Sequence, residues 1–136
     1  MKELKFRAYH KYMEKMLIPI KLHLNDWKIT CFETLLDDNV YQVKIDDKEY
    51  WLHIMQYTWI KDKNWKEIYG GDLIQYDWNS RIWEVYFDED RLQYRIRCKG
   101  KARPDDKDTM EISYSLEWLE LTVVGNIYED KHLLNN

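Results

Sequence analysis

Six of the thirteen residues from 91 to 103 are positively charged, which makes this run the densest group of chemically capable side chains in the sequence. Arginine and lysine bind phosphates, and the ring of Tyr94 within the run could stack on a base. The formal net charge of −4 and the three aspartates between positions 105 and 108 oppose this interpretation. The same cations could instead pair across a sheet with the acidic segment 111–136. Nucleic-acid contact is therefore an alternative function, and its residues are Arg95, Arg97, Lys99 and Lys101.

Side chains that commonly catalyse reactions occur in this sequence without the spacing that catalysis needs. The four histidines are scattered, and none belongs to an HExxH motif or lies beside a cysteine. No serine lies in a GxSxG motif, and no phosphate-binding glycine loop is present. The paired aspartates fall in predicted turns, where aspartate accepts local backbone hydrogen bonds. We predict that the protein is not an enzyme and binds no metal or cofactor.

Aromatic residues give the strongest indication of a binding function. The chain has seven tryptophans and eleven tyrosines in 136 residues, and each buries roughly 150–250 Å² and is favoured at the centre of protein interfaces. A small core does not readily hold so many. Trp59, Trp65 and Trp78 fall in or beside predicted turns, so we predict that they bind a partner. The alternative, that they cover the open ends of a β-barrel, fits their positions equally well.

The elements that must position these residues are mainly strands. Residues 92–98 alternate apolar and polar side chains, and residues 81–87 are β-branched and aromatic, so the two segments predict an antiparallel hairpin around the polar residues 88–90. Further strands are predicted over 41–45, 50–55, 73–76, 112–116 and 119–123, with a surface loop over 99–108. The fold class is therefore mainly β, with a body over residues 51–136.

We predict that residues 1–50 form an N-terminal extension of β or irregular structure. Pro19 favours an edge strand. Trp27, Cys31 and Leu35 recur at four-residue spacing after a potential cap at Asn25 and Asp26, so the pattern also allows a short helix over 27–36. A second short helix is a candidate over 129–134. No apolar run reaches the length of a signal peptide or a membrane span, so we expect a cytoplasmic protein with no membrane contact.

Three segments resemble a known family in their order and spacing. They are residues 5–9 (KFRAY), residues 55–72 around the MQYT and KDKN runs, and residues 124–129 (VGNIYE). Together they resemble the YopX family of proteins encoded by phages and prophages of Gram-positive bacteria. The motif residues, to which we assign a structural role in turns, are Gln56, Tyr57, Asp62, Gly71, Asp72, Gly125 and Asn126. The resemblance implies an origin and a fold rather than an activity: an SH3-like β-barrel after an N-terminal extension, and self-association.

The sequence departs from the family pattern at three positions. Members of the family usually have glycine where this chain has Trp59 and Trp65, and glutamate where it has Gly70. Glycine supplies positive φ at turns, to which tryptophan is poorly suited. We therefore expect either that Asn64 takes the left-handed conformation or that the turn is reshaped.

The leading hypothesis is a non-enzymatic interaction or assembly module. Its partner would be a phage or host protein or a second copy of the chain, giving a homo-oligomer. Nucleic acid is the less favoured partner.

Overall fold

The computed structural model describes residues 5–45, 52–77, 80–98, 109–111 and 120–134. These ranges form twelve β-strands and a single-turn 3-10 helix over Lys131–Leu134, so the predicted mainly β class is confirmed. Contacts divide the chain into two compact units, Met1–Gln56 and Tyr57–Asn136. The strand predicted over 112–116 and the loop predicted over 99–108 lie outside the described residues.

The N-terminal unit contains two groups of antiparallel strands. Strand β1 pairs with β2 on one side and with the first half of β6 on the other, while β3, β4 and β5 form a three-stranded sheet in that order. The strands are β1 (Phe6–His10), β2 (Lys15–Leu17), β3 (Pro19–Asn25), β4 (Lys28–Leu36), β5 (Asn39–Lys44) and β6 (Leu52–Lys61). Phe6, Ala8, Leu17 and Phe32 are buried at the centre of this unit, where the two phenylalanine rings meet edge to face at 5.7 Å.

The short helix predicted over residues 27–36 is wrong, because this segment forms strand β4. A spacing of four is even, so Cys31 and Leu35 share one face of a strand as readily as one side of a helix. Phe32 and Thr34 point to the opposite face and are buried. The β-branched residues of this segment favour a strand.

Both hairpins of the three-stranded sheet close with two residues at positive φ. Asp26 and Trp27 have φ of 49° and 64° between β3 and β4, and Asp37 and Asp38 have φ of 50° and 65° between β4 and β5. Two-residue loops with positive φ at both positions are type I′ turns, whose twist matches that of the flanking strands. The N-terminal extension is thus a regular β structure in the residues described.

The C-terminal unit is built on a five-stranded antiparallel sheet with the order β11-β10-β9-β8-β12. The second half of β6 pairs separately with β7. The strands are β7 (Glu67–Tyr69), β8 (Asp72–Tyr76), β9 (Ile82–Asp88), β10 (Gln93–Cys98), β11 (Thr109–Glu111) and β12 (Leu121–Asn126). The predicted hairpin of β9 and β10 is confirmed, with Gln93 opposite Asp88 and Cys98 opposite Trp83. An SH3-like arrangement of these strands stays a prediction.

The core of the C-terminal unit lies on one side of this sheet. It is made of Ile68, Ile74, Tyr76, Trp83, Val85, Ile96, Leu121 and Val123. Ile74 and Val85 have no exposed surface, and Trp83 is 7% exposed. Trp83 is therefore a core residue.

Candidate functional site

The connection between β6 and β7 begins with a bulge that contains Trp59. Tyr57 lies opposite Tyr69 and Lys61 opposite Glu67, so β6 advances four residues while β7 advances two. The hydroxyl of Thr58 donates a hydrogen bond to the Ile68 carbonyl at 2.7 Å and accepts one from the backbone N–H of Ile60 at 3.2 Å. The Thr58 side chain thus bridges the bulge and fixes the backbone on both sides of Trp59.

A single buried carboxylate, that of Asp62, organises the turn that follows. One of its oxygens accepts hydrogen bonds from the backbone N–H groups of Asn64 at 2.8 Å and Lys66 at 2.9 Å. Its other oxygen accepts from the N–H of Val123 at 3.0 Å. The turn closes with a bond from the Trp65 N–H to the Asp62 carbonyl at 3.0 Å. Asp62 therefore shapes the turn and also attaches it to β12.

Trp59 and Trp65 themselves take the left-handed conformation, with φ of 68° and 64°. The expectation that Asn64 takes that conformation is wrong, because Asn64 is not among the residues with positive φ. The Asp62 carboxylate accepts hydrogen bonds from the N–H groups of Asn64 and Lys66, which lie on either side of Trp65. The turn therefore keeps the backbone that glycine would adopt and has tryptophan there instead.

Both tryptophan side chains are exposed at the surface. Trp65 is 72% exposed, and the ammonium of Lys61 lies 5.8 Å from the centre of its ring. Trp59 is 41% exposed, and its ring centre is 4.9 Å from that of the buried Tyr57, which in turn contacts Tyr69. Left-handed backbone costs a residue other than glycine about 1–2 kcal/mol. Strain at exposed residues commonly marks a functional site, because core packing does not repay it.

Sequence reasoning missed Trp27 as an exposed tryptophan. The residue is 98% exposed at the tip of the β3–β4 hairpin and also has positive φ. The helix predicted from residue 27 placed it in a regular element, although an aspartate directly before it is a turn signal. Trp78, the third predicted partner-binding residue, lies outside the described part of the chain.

The Gly71 and Asp72 motif makes the turn between β7 and β8. Gly71 has φ of 92°, its N–H donates to the Val85 carbonyl at 2.7 Å and its carbonyl accepts from the N–H of Ile127 at 2.9 Å. The buried carboxylate of Asp72 accepts from the N–H of Tyr69 at 2.8 Å. These two residues therefore fasten one turn to β9 and to the end of β12.

The Gly125 and Asn126 motif ends β12. The side-chain oxygen of Asn126 accepts hydrogen bonds from the N–H groups of Tyr128 at 3.0 Å and Glu129 at 2.9 Å. The backbone N–H of Asn126 donates to the Asp130 carboxylate at 3.0 Å. A Cβ atom on Gly125 would lie 2.6 Å from the same carboxylate, so any other residue would have to displace the Asp130 side chain. Gln56, by contrast, is a strand residue of β6, opposite Phe6 of β1.

Arg97, one of the four predicted phosphate contacts, is paired within the sheet. Its Nε donates to the carboxylate of Glu84 at 2.8 Å, and its guanidinium lies 4.5 Å from the ring centre of Tyr86. The hydrogen bond to Glu84 raises the pKa of Arg97, although burial opposes this shift. Glu84 is only 3% exposed, so the arginine neutralises an otherwise buried charge.

Arg95 is also directed towards an acid. Its Nε lies 3.7 Å from a carboxylate oxygen of Asp88, to which Arg91 donates from Nη1 at 3.0 Å. The hydrogen bond from Arg91 holds the pKa of Asp88 below its ordinary value, although burial acts in the opposite direction. The side chain of Arg95 is 11% exposed. Lys99 and Lys101, the other two predicted contacts, lie outside the described residues.

Tyr94, the residue proposed to stack on a base, packs within the protein. Its ring centre is 5.2 Å from that of Phe87 in an edge-to-face arrangement. Burial raises the pKa of the Tyr94 hydroxyl. Burial also raises the pKa of Tyr128, and the negative charge of Glu84 adds to this increase.

Within the described ranges, no group of three or more histidine, cysteine, aspartate or glutamate side chains is arranged to hold a metal ion. The same residues contain no helix that is long and apolar enough to cross a membrane.

These features define a class of small β protein with two units, in which one continuous strand, β6, passes from the first unit to the second and leads into a turn with exposed tryptophans. A family model described as YopX protein matches residues 5–135. The chain belongs to the YopX family, and the resemblance seen in the sequence is confirmed.

Two solved structures are similar to this chain along almost its whole length. EF1440 from Enterococcus faecalis is 21% identical with a TM-score of 0.60, and the match covers 98% of this chain and 99% of that protein. The protein yopX from Bacillus subtilis is 18% identical with a TM-score of 0.62, over the same shares of the two chains. At these identities the likeness establishes a common fold. No curated protein matches the sequence.

Proposed function

We propose that the chain is a phage-encoded, non-enzymatic interaction module that acts in the bacterial cytoplasm and presents Trp59 and Trp65 to a protein partner. The observation that carries this proposal is that both residues are exposed although their backbone is strained. The Trp65 side chain contributes little to the stability of the fold in return, because it is 72% exposed and its ring contact with Lys61 lies at the surface. A side chain that costs stability and remains in solvent is explained most simply by a use outside the fold. Trp27 is also exposed at positive φ, but there the type I′ turn of the β3–β4 hairpin itself requires that conformation.

The chemistry of the surface favours a protein as the partner. Tryptophan supplies a large, rigid contact area and is enriched among the residues that dominate binding energy at interfaces. Lys61 beside Trp65 adds a cation at the rim of the aromatic surface. The partner is a phage or host protein or a second copy of the chain, which would make the protein a homo-oligomer.

The alternative partner, nucleic acid, is less well supported. Arg95 and Arg97 point to Asp88 and Glu84, so a phosphate would have to compete with carboxylates at 3.7 and 2.8 Å. Release of Arg97 would remove the cation that pairs with the buried Glu84 carboxylate, which is costly, whereas Asp88 would keep its hydrogen bond from Arg91. Nucleic-acid contact therefore stays a prediction that rests mainly on Lys99 and Lys101.

The proposal is tested by capture of partners on a tagged protein in phage-infected cells, with and without nuclease, followed by mass spectrometry. Trp59→Gly and Trp65→Gly remove the aromatic rings and keep the backbone conformation. Trp27→Gly is the matched control, because it removes an exposed tryptophan at positive φ from the other unit. Light scattering of the purified proteins measures self-association in parallel.

We expect a protein partner, or the second copy, to survive nuclease treatment. Its recovery should fall at least about tenfold with Trp59→Gly or Trp65→Gly, which corresponds to about 1.4 kcal/mol, and remain unchanged with Trp27→Gly. Retention of every partner by the first two variants would contradict the proposal. Partners that disappear with nuclease and with the double variant Arg95→Gln, Arg97→Gln would instead support nucleic-acid contact.

A further inference from the structure

Strand β5 lies at the edge of the three-stranded sheet, and no described strand pairs with its outer side. The N–H of Ile45 donates to the Thr30 carbonyl at 2.9 Å, which establishes the alternation of hydrogen bonds along the β4–β5 pair. By this alternation Tyr41 and Val43 bond to β4. The intervening Gln42 and Lys44 direct their backbone N–H and C=O groups outwards. Such an edge can accept one more strand.

A cleft of about 380 Å³ opens beside this edge, between the β1–β2 turn and the β4–β5 hairpin. Leu17, Leu36 and Val43 give it an apolar floor, and Met13 and Tyr41 also line it. Tyr41 pairs with Thr34 and Val43 with Phe32, so the side chains of all four lie on the same face of the sheet. Because Phe32 and Thr34 are buried, this face is the core side. A cleft of this size holds one or two apolar side chains.

The rim of the cleft carries more positive than negative charge. Lys15 and Lys44 are both exposed there, and neither forms an ion pair with another described residue. His10 lines the same rim and accepts a hydrogen bond at Nδ1 from the N–H of Met13 at 3.1 Å. Asp37 is the one acid among the lining residues. The two lysines therefore favour an anionic ligand with an apolar part.

We propose that this edge and cleft bind an acidic peptide segment in extended conformation, which adds to the sheet as a strand beside β5. In an antiparallel pair, the residue opposite Val43 lies on the same face as Val43, so an apolar side chain at that position enters the cleft. Acidic residues on either side of it come within reach of Lys15 and Lys44. This site lies in the N-terminal unit and does not depend on the function proposed for Trp59 and Trp65.

A second copy of this chain is a poorer occupant of the edge. The strand itself reads Asn-Val-Tyr-Gln-Val-Lys and contains no acid that could meet the lysines. A lysine on an edge strand also opposes pairing of that strand with its own copy.

The test is fluorescence anisotropy of the full chain with a labelled peptide of sequence EVDLDVE. A peptide of sequence KVRLRVK has the same apolar pattern and the opposite charge. Two further acidic peptides carry N-methyl groups at alternate residues, one peptide at the odd-numbered residues and the other at the even-numbered residues. In a strand paired with β5, alternate N–H groups face β5, so only one of these two peptides loses them. We expect the acidic peptide to bind, the basic peptide to bind at least about tenfold more weakly, and N-methylation to abolish binding in one phase only.

Variants of the protein test the same geometry from the other side. Lys44→Glu should weaken the acidic peptide at least about tenfold. Gln42→Pro removes an outward N–H that is not part of the β4 ladder, so it should abolish binding with little change in melting temperature. Gln42→Ala is its control, because it loses only the side-chain bond to the Cys31 sulfur at 3.3 Å.

Three outcomes would overturn the proposal. They are equal binding of the acidic and basic peptides, insensitivity to N-methylation in both phases, and a dimer that Gln42→Pro dissociates while no peptide binds. The last outcome would assign the edge to a second copy.

Discussion

Left-handed backbone at residues other than glycine is the feature that distinguishes this chain at the residue scale. The sequence has only four glycines, and the structure describes eight other residues with positive φ, three of which are tryptophans. If the strain at Trp65 serves binding rather than folding, its removal should not harm stability. Trp65→Gly relieves about 1–2 kcal/mol of backbone strain and loses a cation–π contact of about 0.5 kcal/mol. We expect a free energy of unfolding equal to or above that of the wild type in urea denaturation.

The matched variant for this prediction is Trp65→Ala. It loses the same ring contact with Lys61 but keeps a Cβ atom at φ of 64°, so it should be less stable than Trp65→Gly. The interpretation of strain fails if the alanine variant is the more stable of the two.

A second prediction at this scale concerns the carboxylate of Asp62. Asp62→Ala leaves the N–H groups of Asn64, Lys66 and Val123 without their acceptor. Because the position is 1% exposed, water does not readily replace it, and the loss should be about 3 kcal/mol in free energy of unfolding. Asp62→Asn keeps one acceptor oxygen and should lose less.

Asp77→Ala provides the comparison for Asp62. Asp77 pairs with Lys63 at 2.7 Å, but its side chain is 51% exposed, so the loss should stay within about 1 kcal/mol. Equal losses at the two positions would show that Asp62 is not the organiser of the turn.

The sequence predicted the roles of several motif residues but not the conformation of the tryptophans. Asp72 and Asn126 act through backbone groups within a few residues, which is the ordinary behaviour of these residue types in turns. The backbone at Trp65, however, depends on Asp62, whose carboxylate also reaches Val123, 61 positions along the chain. A restraint of that range is not visible in local spacing.

At the scale of elements, the β9–β10 pair provides a dependence of stability on pH. The bond from Arg91 depresses the pKa of Asp88 in the folded protein below its ordinary value of 3.8. An acid whose pKa is lower in the folded than in the unfolded protein stabilises the fold fully at any pH above its unfolded pKa. This contribution is lost as the pH falls through the folded pKa. The advantage of the wild type over Asp88→Asn should therefore be constant above about pH 5 and decline as the pH falls below 3.8 and through the lower folded pKa. Urea denaturation across this pH range measures it.

Asp90→Asn is the control for the pH dependence. Asp90 lies in the same turn and contributes its backbone N–H to Asp88 at 3.0 Å. This variant should follow the wild type at every pH. A similar loss of the acid-dependent stability in Asp90→Asn would place its origin elsewhere in the turn.

Strands were predictable from the sequence where apolar residues recur at every second position, so that the apolar side chains occupy only one face of the strand. Strand β10 meets that condition, because Ile96 faces the core and its neighbours Arg95 and Arg97 lie on the other face, whereas β9 is predictable from its β-branched and aromatic composition. Strand β4 does not meet the condition, because Cys31 and Leu35 add apolar residues to its other face and imitate a helical repeat. The cleft beside β5 was not predictable, since it forms between two hairpins that sequence spacing does not bring together.

At the scale of the whole molecule, two separate hydrophobic cores predict two separate regions of stability. Phe32 belongs to the core of the N-terminal unit and Ile74 to that of the C-terminal unit, and both are fully buried. Small core truncations such as Ile74→Val cost about 0.5–1.5 kcal/mol, and Phe32→Leu should cost a similar amount, so both variants should remain folded. Native-state hydrogen exchange then reports which amides lose protection.

We expect each variant to lower protection in its own unit and to leave the other unchanged. Strand β6 gives the sharpest form of this prediction, because its residues 52–56 pair with β1 and its residues 57–61 lead into the pairing with β7. Phe32→Leu should accelerate exchange in the first half of β6, and Ile74→Val in the second half. A uniform loss of protection along β6 in both variants would show instead that the two cores unfold together as one cooperative unit, since a local opening cannot extend past its own core.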